Sequence, residues 1–313
     1  RYMALVFGSL VGSACGALLA LWWRPHKLAW PSSFETIGGA LHVGWHIVVG
    51  RLAWYTYNTA DFAVVGRILG KQSLGAYTLG WEIATMPVER ISSLVSSVTP
   101  GVFSAVQHDI VALKRYFLGV VEGLAFITLP AAAGLALIAG EFVPVVLGKQ
   151  WLGAILPLRL LAVYGGLRSI DTVTPQVLIY TGNSRQSMWY SVLAACVMPV
   201  LFVVGTRWGV GGVAAVWIVA YPLVVAPQYR LAFNVLEMRA VEYFETLWPA
   251  LSSTAIMAVA VGIVLFALPH TMAPAVRLVI EVIVGIGVYA GMIAWRHRAR
   301  ALAFVSIVRE HAL

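Results

Sequence analysis

"ALKRYFLGVVEGLAFITLPAAAGLALIA", residues 112–139, decides the fold class. Beyond Lys114 and Arg115, Glu122 is its one charged residue, and the run exceeds the roughly 20 apolar residues that carry a helix across a bilayer. A strand crossing a membrane needs about 10 residues of alternating polarity. This stretch instead mixes Gly, Ala and branched side chains with no period of two. Hydrocarbon offers no water to backbone N–H and C=O groups, so a run of this kind is stable there as a helix.

Eight further segments read the same way, at about 2–23, 34–66, 71–104, 151–181, 185–205, 210–235, 244–268 and 273–296. The sequence therefore predicts an all-α, polytopic membrane helix bundle with about nine transmembrane helices. Composition agrees, with 60% hydrophobic and 11% charged residues and a mean hydropathy of +0.86, values far from those of a water-soluble domain. Cys15 and Cys196 lie inside apolar segments without CxxC spacing, which argues against a disulfide framework or a zinc site. The formal charge of +8 comes from residues scattered at helix ends rather than from a basic, aromatic-studded face, so nucleic acid is not expected as a partner.

Topology accounts for the charge better. Alternating the connections places Arg24, Lys27, Lys114, Arg115, Arg185, Arg230, Arg239, Arg296, Arg298, Arg300 and Arg309 on one side. Arg1, Arg67, Lys71, Lys149, Arg207 and Arg277 fall on the other. The positive-inside rule makes the first side, with the C-terminus, cytoplasmic. The chain enters a membrane helix directly from Arg1, and an odd helix count leaves its start outside. Further N-terminal helices are expected to precede it.

The longest polar link is "RPHKLAWPSS", residues 24–33, bounded by prolines and ending in Ser33, a helix-capping residue type. It reads as a cytoplasmic hinge between two lobes. No connection leaves room for a soluble domain, so any activity sits among the helices.

Ionisable side chains at mid-membrane cost about 2.5–3.5 kcal/mol each on insertion scales and tend to face a bundle interior or a wet cavity. On segment 34–66, a 100° turn per residue groups Glu35, His42 and His46, and separately Arg51, Tyr55 and Asn58, with Asp61 one turn on. His42 and His46 have metal-pair spacing but no HExxH pattern and no acid cluster beside them, so no metal is expected. On segment 71–104, Glu82, Thr85, Glu89, Ser93 and Ser96 form one polar stripe with Arg90 beside it. Pro87 interrupts the hydrogen-bond ladder of that segment. Segment 151–181 holds Arg168 and Asp171 three residues apart, close enough to pair, with Pro175 following. These stripes fit either a cavity lining or a hydrogen-bonded seam between helices. The last two segments are nearly uniform apart from Glu281 and read as peripheral and lipid-facing.

Catalytic patterns are weak. "GRILGKQS" lacks the residues that a phosphate-binding P-loop requires, with Val65 where the first Gly belongs and Gln72 where Ser or Thr belongs. "GVGGVAAV", residues 209–216, opens a membrane helix, where glycines serve helix contact. No Ser/His/Asp grouping or paired carboxylates stand out, and the chain is not expected to be an enzyme.

The residues from Asn58 to Asp109, "NTADFAVVGRILGKQSLGAYTLGWEIATMPVERISSLVSSVTPGVFSAVQHD", together with "LGKQW" at 147–151 and "YTGNSRQSM" at 180–188, carry a resemblance. The chain resembles the Wzx-type lipid-linked oligosaccharide flippases, the polysaccharide transporter branch of the multidrug/oligosaccharidyl-lipid/polysaccharide exporter superfamily. That resemblance implies two six-helix lobes around a central cavity, with two additional C-terminal helices. Residues 1–23 would be the last helix of the N-terminal lobe, 24–33 the inter-lobe linker, 34–235 the second lobe, and 236–313 the extra helices and tail.

It further implies alternating-access flipping of an undecaprenyl-diphosphate-linked oligosaccharide across the bacterial inner membrane for exopolysaccharide, capsule or O-antigen assembly, in company with polysaccharide polymerase machinery. Arg51, Arg90 and Arg168 would then hold the diphosphate. Asn58, Asp61 and Glu82 would line the substrate path, and Glu89, Asp171 and Arg67 would pair or gate. No cofactor is implied, and proton or sodium coupling stays open. Rival readings are a multidrug or other lipid-carrier exporter of the same superfamily, or a membrane-embedded polymerase or ligase.

Overall fold

Lipid leaves a helix no partner for its backbone but itself, and the computed structural model follows that rule throughout residues 2–23, 34–106, 109–269 and 271–296, the residues it describes. Helix α1 spans Tyr2–Trp23 and α2 Phe34–Val64. The others are α3 (Lys71–Val106), α4 (Ile110–Phe142), α5 (Ile155–Asp171), α6 (Thr174–Tyr180), α7 (Ser184–Gly205), α8 (Gly209–Val235), α9 (Ala240–Ala267) and α10 (Pro274–Arg296). No strand occurs among the described residues. Among the described residues five stretches, the first beginning at Ile110, are long and apolar enough to span a membrane; one of them, Ser184–Val235, comprises both α7 and α8. The protein is thus an all-α, multi-pass membrane helix bundle. The expected hinge at 24–33 lies outside the described residues.

Residues 1–44 and 45–313 form two separate contact units, the boundary falling inside α2. In the second unit, backbones meet where side chains vanish. A methyl group at Gly80 would stand 3.1 Å from the Leu158 amide nitrogen, and one at Gly165 would stand 3.2 Å from the Ala84 carbonyl. Glycine at these two places lets α3 and α5 approach to near contact, the packing mode that small residues confer in membranes.

Two predicted segments depart from expectation. Pro87 does not divide α3, which is helical through it. The 151–181 segment, by contrast, is broken: α5 ends at Asp171, and α6 restarts at Thr174 with Pro175 in its first turn. Pro175 has no N–H to offer the Asp171 carbonyl four residues earlier, so the helix cannot run on unperturbed. Pro87 removes the same kind of bond without dividing its helix. The tertiary surroundings, not the proline alone, set the outcome.

The chain also contains a duplicated turn. "VGRILGKQSLGA" at 65–76 and "VPVVLGKQWLGA" at 143–154 share eight of twelve residues. Each begins with a single wide helical turn, Val65–Leu69 or Val143–Leu147, and ends at a glycine with positive φ, 87° at Gly70 and 97° at Gly148. The two lie together: methyl groups at Gly75 and Gly153 would each meet the other turn at 3.8 Å, on Trp151 and Ala76 respectively.

The last two helices do present apolar side chains outward, Phe266, Val279, Ile283 and Ile286 among them. Their inner side is more polar than expected. Arg277, Glu281 and Gly285 are buried on α10 at four-residue spacing. Arg277 Nη2 lies 3.1 Å from Glu141 Oε1 on α4, and one turn beyond Gly285 the Tyr289 hydroxyl donates to the Phe126 carbonyl at 2.6 Å. These contacts fasten α10 to the body of the bundle.

Candidate functional site

Helical spacing brings the polar and aromatic side chains of four helices together. Trp54, Tyr57, Asn58 and Asp61 descend one side of α2. Tyr77 and Trp81 are one turn apart on α3, Tyr164, Arg168 and Asp171 follow along α5, and Trp217 and Tyr221 are one turn apart on α8. The rings other than Trp54 form a continuous cluster, with centroids 5.4 Å apart for Trp81–Trp217 and 4.5 Å for Tyr164–Trp217. Such a cluster contributes large buried area and orients any polar group set among its edges.

Asp61 is at one end, with no exposed surface. Its Oδ2 accepts from the Tyr77 hydroxyl at 2.6 Å and from Trp217 Nε1 at 2.9 Å, and its Oδ1 accepts from the Phe62 amide at 2.9 Å. Trp217 Nε1 also reaches the Tyr77 hydroxyl at 3.1 Å. The carboxylate therefore joins α2, α3 and α8. Asn58, also buried, donates through Nδ2 to the Trp54 carbonyl at 3.0 Å.

Arg168 is at the other end. Its guanidinium carbon lies 5.7 Å from the Trp54 ring centre and 5.6 Å from that of Trp81, within the range of cation–π attraction. Nη1 stands 3.6 Å from Glu89 Oε1, whose side chain is 56% exposed against 16% for Arg168. The anticipated Arg168–Asp171 pair does not form. The end of α5 turns Asp171 toward α8, where Oδ2 accepts from the Tyr221 hydroxyl at 2.5 Å, while the guanidinium reaches α3. A cleft of about 640 Å³ opens between α5, α8 and α9, lined by Asp171, Tyr221, Tyr229, Arg230 and Asn234 among apolar side chains.

The remaining sequence candidates occupy other positions. Arg51, Glu82 and Arg90 are exposed, and Arg67 is exposed within the first duplicated turn. Of the stripe on α3, Thr85 is buried and bonded to the Trp81 carbonyl at 3.0 Å, Ser93 is exposed, and the Ser96 side chain lies outside the described residues. So do the side chains of Glu35 and His42. Among the described residues no group of three His, Cys, Asp or Glu side chains is placed to hold a metal ion.

Sequence reading concentrated on charges and passed over the rings that organise them. Trp54, Tyr77, Trp81, Tyr164, Trp217 and Tyr221 all carried a usable signal, because each lies three, four or seven residues from an acid, a base or another ring of the site.

Residues 1–156 match a family model described as polysaccharide biosynthesis protein. The chain is 26% identical over 276 residues to the teichuronic acid biosynthesis protein TuaB of Bacillus subtilis, covering 85% of this chain and 56% of that one. It is 27% identical over 271 residues to the lipopolysaccharide biosynthesis protein WzxC of Escherichia coli, covering 84% and 55%. A probable low-salt glycan biosynthesis flippase of Haloferax volcanii is 20% identical over 315 residues, covering 98% of this chain and 64% of the flippase. The chain thus spans about half the length of the first two relatives. No solved structure matches it. Residues 1–156 thus resemble the polysaccharide biosynthesis protein family, and most of the chain is similar to proteins of teichuronic acid, lipopolysaccharide and glycan biosynthesis, one of them named a probable flippase.

Proposed function

We propose that the chain supplies one lobe of a flippase for lipid-linked saccharides, carrying an undecaprenyl-diphosphate-linked oligosaccharide across the cytoplasmic membrane by alternating access. The observation that carries this reading is the Arg168 box. A guanidinium held between two indole faces has its orientation set by rings, leaving its forked N–H donors to the acceptor in front of them. The anion nearest to it is Glu89, the more exposed member of the pair, whose Oε1 stands 3.6 Å from Nη1, too far for a hydrogen bond. A diphosphate offers more acceptor oxygens and charge than one carboxylate, so it displaces Glu89 and takes bidentate hydrogen bonds from Arg168. Trp54 and Trp81 then border the headgroup with flat apolar faces suited to sugar rings, while the lipid tail stays in the bilayer.

Release requires the box to open. Transporters of this general kind rock one lobe or bundle against another around a site near the midplane. The name of the Haloferax volcanii relative favours a flippase over a polymerase, and the anion-suited box favours a lipid diphosphate over a cationic drug.

Complementation of a flippase-deficient strain by the full-length protein tests the reading. Arg168→Ala is expected to lower surface polymer about tenfold or more, the scale of a lost charge-assisted hydrogen bond. Arg168→Lys is expected to recover little, because a point charge replaces a planar fork. Polymer at wild-type level from correctly inserted Arg168→Ala protein would remove the basis of the proposal.

A further inference from the structure

The beginnings of α4 and α9 enclose a slot of about 600 Å³, separate from the Arg168 box and from the cleft between α5, α8 and α9. Along α4, Ile110, Lys114 and Leu118 line it one turn apart, and Val111, Arg115 and Gly119 form the row beside them. Glu237, in the connection between α8 and α9, and Thr246 of α9 line the facing side, with Glu122 deepest on α4. At 1.5 Å per residue the slot runs about 18 Å from Ile110 to Glu122, beyond the roughly 5–8 Å that head groups occupy on each face of a bilayer. Gly119 keeps it open, since a methyl group there would meet no atom within 4 Å.

Part of the charge in the slot is already matched. Lys114 is paired with Glu242 of α9, and Glu122 is engaged within the protein. Arg115 and Glu237 are left: both are exposed, and neither makes an ion pair among the described residues. The Arg115 guanidinium carbon lies 5.8 Å from the centre of the Tyr116 ring. Glu237 holds a φ of 47° just past the end of α8, a place where glycine is the usual residue. The turn itself would be served better by glycine, so its carboxylate invites a role outside the backbone.

From this arrangement we infer a binding site for a zwitterionic phospholipid with a primary ammonium head group, of the phosphoethanolamine type. Its phosphate meets Arg115, its ammonium meets Glu237, and the upper part of one acyl chain lies along Leu118 and over Gly119. One unmatched base and one unmatched acid in a common lining complement a head group that carries one charge of each sign. The guanidinium fork suits phosphate oxygens. A primary ammonium brings three N–H donors to a carboxylate, whereas a quaternary ammonium brings none. An anionic head group without an amine would face Glu237 with like charge. The Lys114–Glu242 pair sets the first turn of α9 level with Lys114, so Glu237, ahead of that turn, stands at the mouth and Arg115 further in. Ammonium and phosphate follow one another in that order from the membrane surface inward.

Lipid binding at this slot stands apart from the flippase reading, so its test contains no sugar lipid. The full chain, purified in detergent, is titrated with phosphatidylethanolamine, phosphatidylcholine and phosphatidylglycerol of matched acyl chains, and bound lipid is counted by native mass spectrometry. Phosphatidylethanolamine is expected to fill a first site with at least tenfold higher apparent affinity than the other two. Arg115→Ala should weaken that binding about tenfold, the scale of a lost charge-assisted hydrogen bond. Glu237→Gly should bring it to the level of phosphatidylcholine while the unfolding temperature holds or rises, because glycine accepts the positive φ without strain. Gly119→Leu should exclude all three lipids from the site by filling the slot. Lys149→Gln, beyond the other end of α4, should leave the preference intact. Equal affinity for the three lipids, the mark of a slot filled by acyl chain alone, overturns the inference. So does a preference for phosphatidylglycerol, or a preference for phosphatidylethanolamine that persists unchanged in both Arg115→Ala and Glu237→Gly.

Discussion

The two copies of the V-x-x-x-L-G-K-Q-x-L-G-A turn have nearly the same words and different neighbours. Four residues before the first copy stands Asp61, and directly after it stands Tyr77; the equivalent positions around the second are Ala139 and Ile155. Both copies nonetheless make a wide turn closed by a positive-φ glycine. The backbone of the turn therefore does not need the buried acid. What Asp61 adds is a cross-link: in the first copy the polar trio Asp61, Tyr77 and Trp217 fastens α2 to α3 and α8, while in the second, apolar packing around Ala139 does the equivalent job.

The comparison can be broken most severely by moving the acid. Ala139→Asp buries a carboxylate with no tyrosine opposite and is expected to destabilise by about 3–5 kcal/mol, read as loss of monodisperse protein or a leftward shift in denaturant titration. Adding Ile155→Tyr should recover part of that loss. Failure of the pair to improve on the single variant would show that Trp217 is the dominant partner. In the reverse direction, Asp61→Ala orphans the Tyr77 hydroxyl proton and leaves Trp217 Nε1 only its 3.1 Å bond to the Tyr77 oxygen, and should lose about 2–3 kcal/mol, with Tyr77→Phe losing about 1–2 because Trp217 still holds the acid.

The shared part of the two turns makes a matched prediction. Gly70→Ala and Gly148→Ala each place a Cβ in a backbone region reserved for glycine and should lose about 1–3 kcal/mol apiece in the same unfolding assay. A large inequality would mean that the turns are alike in sequence only. The smallest effect belongs to Arg67→Val, which writes the second copy's residue into an exposed position of the first and should stay within about 0.5 kcal/mol.

Fold class was legible because lipid imposes a single demand, that backbone groups bond within the helix, and long apolar runs answer it visibly. The site was legible only in part. Helical periodicity placed Asn58 near Asp61 and Arg168 near Asp171, since those relations are local. It could not show that Arg168 reaches Glu89 while Asp171 reaches Tyr221, because those partners lie on helices brought together by glycine contacts elsewhere in the chain. Nor could hydropathy reveal that α10 hides Arg277 and Glu281 on one side: averaged over a window, two charges disappear among valines and isoleucines.

The near contact of α3 with α5 at Gly80 and Gly165 has a mechanical consequence. Main chains almost touching in two places give the pair close interlocking contact that opposes sliding, as expected of a single girder bearing both Trp81 and Arg168. Trp54 rides on α2, which meets that girder through rings and the Asp61 bonds rather than through backbone. If the proposed flippase reading holds, swinging α2 aside would be the motion that unroofs the guanidinium, with Asp61, near the end of the same helix, as its pivot.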